Sequence, residues 1–158
     1  MTIARVIDQS LLNAVIQEAQ NSPRRRKNFN FHAVNEAPAH RLLNALEPDS
    51  YIPPHRHLDP RKDETMIALS GRLACVFFDE AGQIIQTCIA SPGSQCLGVD
   101  IPHGVWHSVF ALDSGTVFLE AKAGPYEALT EAEKAPWAPA EQDDGAAAYL
   151  AGLHRAVQ

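Results

Sequence analysis

The stretch LACVFFDEAGQIIQTCIASPGSQCLGVDIPHGVWHSVFALDSGTVFLEAK, residues 73–122, decides the fold. Leu73 to Phe78 is apolar on both faces, Asp79-Glu80-Ala81-Gly82 is a hairpin turn, and Ile84 to Ala90 returns. Ser91-Pro92-Gly93 turns the chain again before a strand over Gln95 to Ile101. Pro102-His103-Gly104 makes another turn, and Trp106 to Leu112 and Thr116 to Lys122 follow as two more strands.

Working outward toward the N-terminus, the same rhythm continues. Met66 to Leu69 runs into Gly71, and Arg41 to Leu46 and Ser50 to His57 are split by Pro48-Asp49-Ser50. In Asn28 to His32, Asn28, Asn30 and His32 share one face and Phe29 and Phe31 the other. At least eight strands with almost no helical pattern between Pro23 and Ala123 exclude a parallel βαβ sheet. They predict an all-β, rolled antiparallel barrel. Before it, Asp8 or Ser10 can cap a helix with the stripe Leu11, Leu12, Val15, Ile16 and Ala19, which ends at Asn21-Ser22-Pro23. After Gly124-Pro125 come the Pro-rich Ala135-Pro136-Trp137-Ala138-Pro139 and a short helical pattern at Tyr149, Leu150 and Leu153. The division expected is a helical segment over 1–27 packed on the barrel, a barrel over 28–126 and a tail over 127–158.

Composition bounds the function. With 158 residues, 46% of them hydrophobic, the chain can bury one core without disulfides or a structural metal. Thirteen basic against nineteen acidic residues give a net charge of −6, which argues against nucleic acid as a partner. No apolar run approaches a membrane span, and Met1 to Asp8 holds no signal-peptide core. Cys75, Cys88 and Cys96 are too few for a disulfide framework and read as buried thiols in a reducing cytoplasm.

Seven histidines carry the chemistry. Pro53-Pro54-His55-Arg56-His57 sets two imidazoles at i and i+2, on one face of an extended segment. A lone strand histidine is usually just hydrogen-bonded or solvated. A pair on one face, followed by Glu64 and then by Pro102-x-Gly104-x-x-His107, has the donor types that one divalent ion takes. Three imidazoles and one carboxylate suit iron, manganese, nickel, cobalt or zinc. Two coordination positions would stay open for a bidentate small molecule such as a hydroxy-acid or hydroxy-ketone.

His55-x-His57, Glu64 and Gly71 resemble the first cupin motif, and Pro102-x-Gly104-x-x-His107 the second. The His57-to-Glu64 gap is longer than in most cupins, and Ala111 stands where an asparagine is often found. More narrowly, the chain resembles the WbuC family of cupin-fold metalloproteins over roughly residues 20 to 141. The matching segments are Ser22-Pro23-Arg24, Asn28-Phe29-Asn30-Phe31-His32, Arg41 to Leu46, Pro54 to His57, Ile101 to His107, Gly124-Pro125-Tyr126 and Ala135 to Pro139. The resemblance implies the cupin double-stranded β-helix, a bound divalent metal and a setting in bacterial surface-polysaccharide (O-antigen) synthesis.

Further polar residues are candidates for the lining of the cup: Asn28, Asn30, His32, Arg41, Glu120, Lys122 and Tyr126. Arg24-Arg25-Arg26-Lys27 reads as a solvated run or as a clamp for a diphosphate or carboxylate. His40 and His154 read as surface residues, and His103 as structural. Two readings follow. One is a metal-dependent enzyme, an isomerase or epimerase or, with iron, a dioxygenase, acting on a small polar or sugar-derived substrate. The other is a non-catalytic module that uses the metal to bind or sense a carbohydrate or carboxylate. A buried base beside the ion would favour the first. The helix stripe and the Pro/Trp-rich tail offer apolar surface to a second copy, so a homodimer is expected.

Overall fold

A computed structural model describes residues 3–158; Met1 and Thr2, the start of the stretch screened for a leader, lie outside the described residues. The order is α1 (Gln9–Asn21), β1 (Arg26–Asn30), β2 (Ala39–Leu46), β3 (Glu64–Ser70), β4 (Leu73–Phe78), β5 (Ile84–Ala90), β6 (Gly98–Ile101), β7 (Trp106–Ala111), β8 (Thr116–Ala123) and α2 (Ala146–Ala156). Two antiparallel sheets face each other, five strands in the order β1-β2-β8-β3-β6 and three in the order β5-β4-β7. This is the all-β cupin barrel expected, with a helix at each end of the chain. Among the described residues no helix is long and apolar enough to cross a membrane.

Strand alternation explains the layers. On β4, Leu73, Cys75 and Phe77 point between the sheets, where they meet Leu46, Met66, Val109 and Phe118. Ala74, Val76 and Phe78 point outward and pack with Leu150 and Leu153 of α2. A strand buried on both faces has to be apolar throughout, which is what its sequence shows. The apolar stripe of α1 (Leu12, Val15 and Ala19) covers Leu43, Ala45 and Val117 on the outer face of the larger sheet. Asp8 caps this helix by accepting from the Leu11 amide at 2.9 Å. Both apolar surfaces that suggested a second copy are therefore used within one chain.

One element differs from expectation. Residues 50–57 form no strand; the backbone makes isolated bridges at His55 with His107 of β7 and with Lys134 of the tail. Pro53 and Pro54 have no N–H to donate, so a continuous ladder cannot form. Instead the segment lies between two neighbours. His55 exchanges backbone hydrogen bonds with His107 at 3.0 and 2.9 Å, while Arg56 N–H donates to the Glu133 carbonyl and Ala135 N–H to that of Pro54. Gly71 ends β3 at φ 66°, and an added Cβ would stand 3.0 Å from the Thr116 Cα, so the position favours glycine twice over.

The basic run is partly exposed but paired within the chain. Arg24 and Arg26 both grip Glu141 at 2.7 Å, Arg25 pairs with Asp49 at 3.2 Å, and Lys27 pairs with Glu18 at 3.2 Å. Hydrogen bonding from Arg24, seconded by Arg26, holds the Glu141 carboxyl down at about 2. This pair of arginines fastens the tail to the start of β1. Replacing Glu141 by Ala should cost about 2 kcal/mol at neutral pH, as charge-assisted hydrogen bonds of this kind do. Because the folded carboxyl is the stronger acid, that contribution is present above the unfolded value of 4.5 and lost as pH falls toward 2. Denaturant titrations at pH 7 and pH 3 should show the wild-type advantage shrinking at the lower pH.

Candidate metal centre

The cup between the sheets is a cavity of about 620 Å³. The row nearest the histidines is built by register: His40 of β2 stands opposite Lys122 of β8, and Lys122 opposite Glu64 of β3. One row further along, Leu42 faces Glu120 and Glu120 faces Met66. Inward positions on each strand recur every second residue, so the polar side chains form a band across one wall.

His55, His57 and His107 converge there, each offering a ring nitrogen within 4.8 Å of the others. Backbone contacts orient two of them. The Nδ1 of His55 faces the Pro53 carbonyl at 2.9 Å, and the Nδ1 of His107 faces that of Val105 at 2.9 Å. Each Nδ1 therefore donates to a carbonyl, which leaves Nε2 as the ring nitrogen that can take an ion. Gly104 N–H donates to the His57 carbonyl at 2.7 Å and fixes the third imidazole's backbone. Burial first, and then the neighbouring His107, push the His55 imidazole down to about 3, so it is neutral across physiological pH.

Glu64 stands beside this group, 2.7 Å from His57 Nε2 through Oε1 and 3.3 Å from His107 Nε2 through Oε2. Burial alone would raise its carboxyl, but His107, His57 and Lys122 outweigh that and hold it well below the usual range. Both Glu64 Oε2 and His107 Nε2 are buried and without a hydrogen-bond partner. With Nδ1 turned to the Val105 carbonyl, His107 leaves Nε2 3.3 Å from that carboxylate oxygen, in contact but with no hydrogen bond formed. Buried polar groups left like this cost about 1–3 kcal/mol each. A cation between them removes the cost. The donor set, neutral imidazole and carboxylate, is one that divalent transition metals take.

Lys122 reaches the same place from the opposite side. Its Nζ lies 2.5 Å from Glu64 Oε1, 3.2 Å from Glu120 Oε1 and 3.4 Å from His57 Nε2. Burial would lower the Lys122 amine, yet Glu120 and Glu64 raise it overall, so it remains an ammonium. Asn44 donates to Glu120 at 2.9 Å and holds that carboxylate in position.

Of the polar residues expected to line the cup, Asn28, Asn30, His32, Glu120, Lys122 and Tyr126 do so. Arg41 does not. Inward positions of β2 are His40, Leu42, Asn44 and Leu46, so Arg41 projects from the other face and is exposed. His40, read as a surface residue, is 7% exposed and stacks on His32 with ring centroids 3.9 Å apart. Its parity with Leu42 and Asn44 could have revealed this. Lys62, missed altogether, is buried in the wall and donates to the Pro125 carbonyl at 2.7 Å. Neither is His154 a surface residue: it packs on Phe110 and hydrogen-bonds the Pro48 carbonyl at 3.0 Å. His103 pairs with Asp63 at 2.8 Å, in keeping with its structural reading.

Fold and site together give a cupin-like barrel whose cup holds three converging histidines. Residues 7–90, just over half of the chain, match the family described as a domain of unknown function (DUF6016), and the chain belongs to that family. No curated protein matches it. Among solved structures it is similar to KdgF from Halomonas sp., at 15% identity and a TM-score of 0.51 over 67% of this chain and 84% of that one. It is also similar to the conserved SPY1581 protein of unknown function from Streptococcus pyogenes, at 13% identity and a TM-score of 0.52 over 80% of this chain and 93% of that one. At these identities the likeness shows the fold alone.

Proposed function

We propose that the chain is a metal-binding cupin enzyme in which His55, His57, His107 and Glu64 hold one divalent ion. Glu64 Oε2 and His107 Nε2, buried, 3.3 Å apart and without a hydrogen-bond partner, are the observation that carries this reading. When bound, the ion would act as a Lewis acid toward a chelating hydroxy-carbonyl or carboxylate group.

The chain's own residues supply the rest. Lys122 holds a proton beside the ion, and Glu120, steadied by Asn44, is the carboxylate that can take one up. A lysine and a carboxylate in contact, partly shielded from water, form the kind of pair that moves a proton on and off a carbon next to a carbonyl. This favours isomerisation or epimerisation over simple binding. Asn28 and Asn30 leave their amides open toward the cup, where they can hydrogen-bond hydroxyl groups of a small polar molecule. A sugar-derived substrate and a role in surface-polysaccharide synthesis rest on the WbuC-like segments.

The test begins with metal analysis of untagged protein. About one ion per chain is expected after reconstitution, with the pair His55 and His57 required. A screen of nucleotide sugars and sugar acids with that metal restored should then show exchange of a carbon-bound hydrogen with solvent deuterium. Absence of metal from wild-type protein at micromolar free metal would overturn the reading.

A further inference from the structure

None of the three cysteines lines the cup; the barrel brings them together at the seam where β5, an edge of the smaller sheet, meets β6, an edge of the larger. Cys75 of β4 and Cys88 of β5 are direct register partners. Opposed residues on antiparallel strands share a face, with Cα atoms about 4.5–5.5 Å apart. That lies inside the range of roughly 4.4–6.8 Å which a disulfide spans. Cys75 is fully buried among Leu73, Phe77 and Val109, whereas Cys88 is half-buried and reachable from solvent. Cys96, in the turn leading to β6, stands near them with its thiol directed to the Gly98 carbonyl at 3.8 Å.

We propose that Cys88 is a peroxide-reactive thiol and that Cys75 resolves its oxidised form into an intrachain disulfide, a modification site separate from the cup. The roles follow from access and contact. The Cys75 thiol first, and Cys96 after it, draw the Cys88 thiol down to about 6, against burial that would raise it. The same contact raises the buried Cys75. At neutral pH Cys88 is the thiolate, and its neighbour keeps a proton.

The chemistry balances. Cys88 Sγ attacks one oxygen of a hydroperoxide; the S–O bond forms, the O–O bond breaks, and the departing oxygen leaves as water or an alcohol after taking a proton. Cys88 becomes a sulfenic acid, having lost two electrons to the peroxide. Cys75 Sγ then attacks that sulfur; the S–S bond forms, the S–O bond breaks, and water leaves with the Cys75 proton. Two thiols and one hydroperoxide give one disulfide, one alcohol or water, and one further water.

The test uses the full chain as isolated. At pH 7 iodoacetamide should modify Cys88 at least about threefold faster than Cys96, the gain left after the weaker nucleophilicity of a more acidic thiol is counted. One equivalent of hydrogen peroxide, followed by alkylation and peptide mapping, should give a Cys75–Cys88 disulfide with Cys96 still free. In Cys75→Ser/Cys96→Ser, Cys88 should persist as a sulfenic acid that dimedone traps. If that variant does not fold, the wild-type map decides. A disulfide that includes Cys96, oxidation that spares Cys88, or equal alkylation of Cys88 and Cys96 would each overturn the assignment.

Discussion

Alanine at both His55 and His57 should yield a folded barrel that retains no divalent ion after dialysis against a chelator. Two of the three converging imidazoles are then gone, and the pair left behind, His107 and Glu64, offers one nitrogen and a carboxylate. Loss of a mere supporting contact around a metal already weakens binding about 10–100-fold, so loss of two ligands should exceed the upper figure. The fold should survive, because His55 is held to β7 through backbone N–H and C=O groups that alanine keeps. His154→Ala, which changes a side chain packed on Phe110 remote from the cup, should leave metal content at the wild-type level. Metal analysis by mass spectrometry, with circular dichroism to confirm folding, checks both. Stoichiometric metal in the double variant would show that the ligand set is wrong.

Lys122→Met should act in opposite directions on stability and on metal affinity. Without metal, the Lys122 ammonium is the cation that balances Glu64 and Glu120. Removing one partner of a buried ion pair costs about 3–5 kcal/mol, and the slight exposure of Lys122 places this case near the lower end. The metal-free variant should therefore unfold at clearly lower denaturant. A divalent ion, however, must approach Glu64 against that same ammonium, 2.5 Å from Oε1. With the like charge gone, affinity should rise by about tenfold, the factor that corresponds to roughly 1.4 kcal/mol of repulsion removed. Saturating metal should in turn restore much of the lost stability, since a ligand that binds only the folded state stabilises it. Calorimetric titration with zinc or manganese and denaturant unfolding with and without metal measure the two effects. Weaker metal binding in the variant would mean that Lys122 supports the centre instead of competing with it.

Much of this molecule was legible in the order of its residues. The turn signals at Asp79 to Gly82, Ser91 to Gly93 and Pro102 to Gly104 set out the strands β4 to β8, because turns of this kind depend on local backbone preference. The i, i+2 spacing of His55 and His57 placed two imidazoles on one side of an extended segment, whether or not it became a strand. Proline at 53 and 54 decided that it did not, and those missing donors were visible in the sequence as well.

What only the tertiary structure decided was pairing. Register between β2, β8 and β3 sets His40, Lys122 and Glu64 in one row, and no local signal specifies which strands become neighbours or in what alignment. A shift of one residue would have turned Arg41 into the cup and His40 out of it. The same holds for the outer layers. The stripe of α1 and the tail were legible as apolar, but apolar surface carries no direction. Only the folded chain showed that both cover its own sheets, and that the basic run pairs with Glu141, Asp49 and Glu18. Local chemistry is written residue by residue, whereas contacts between distant segments are settled by the shared burial of surfaces that no short stretch contains.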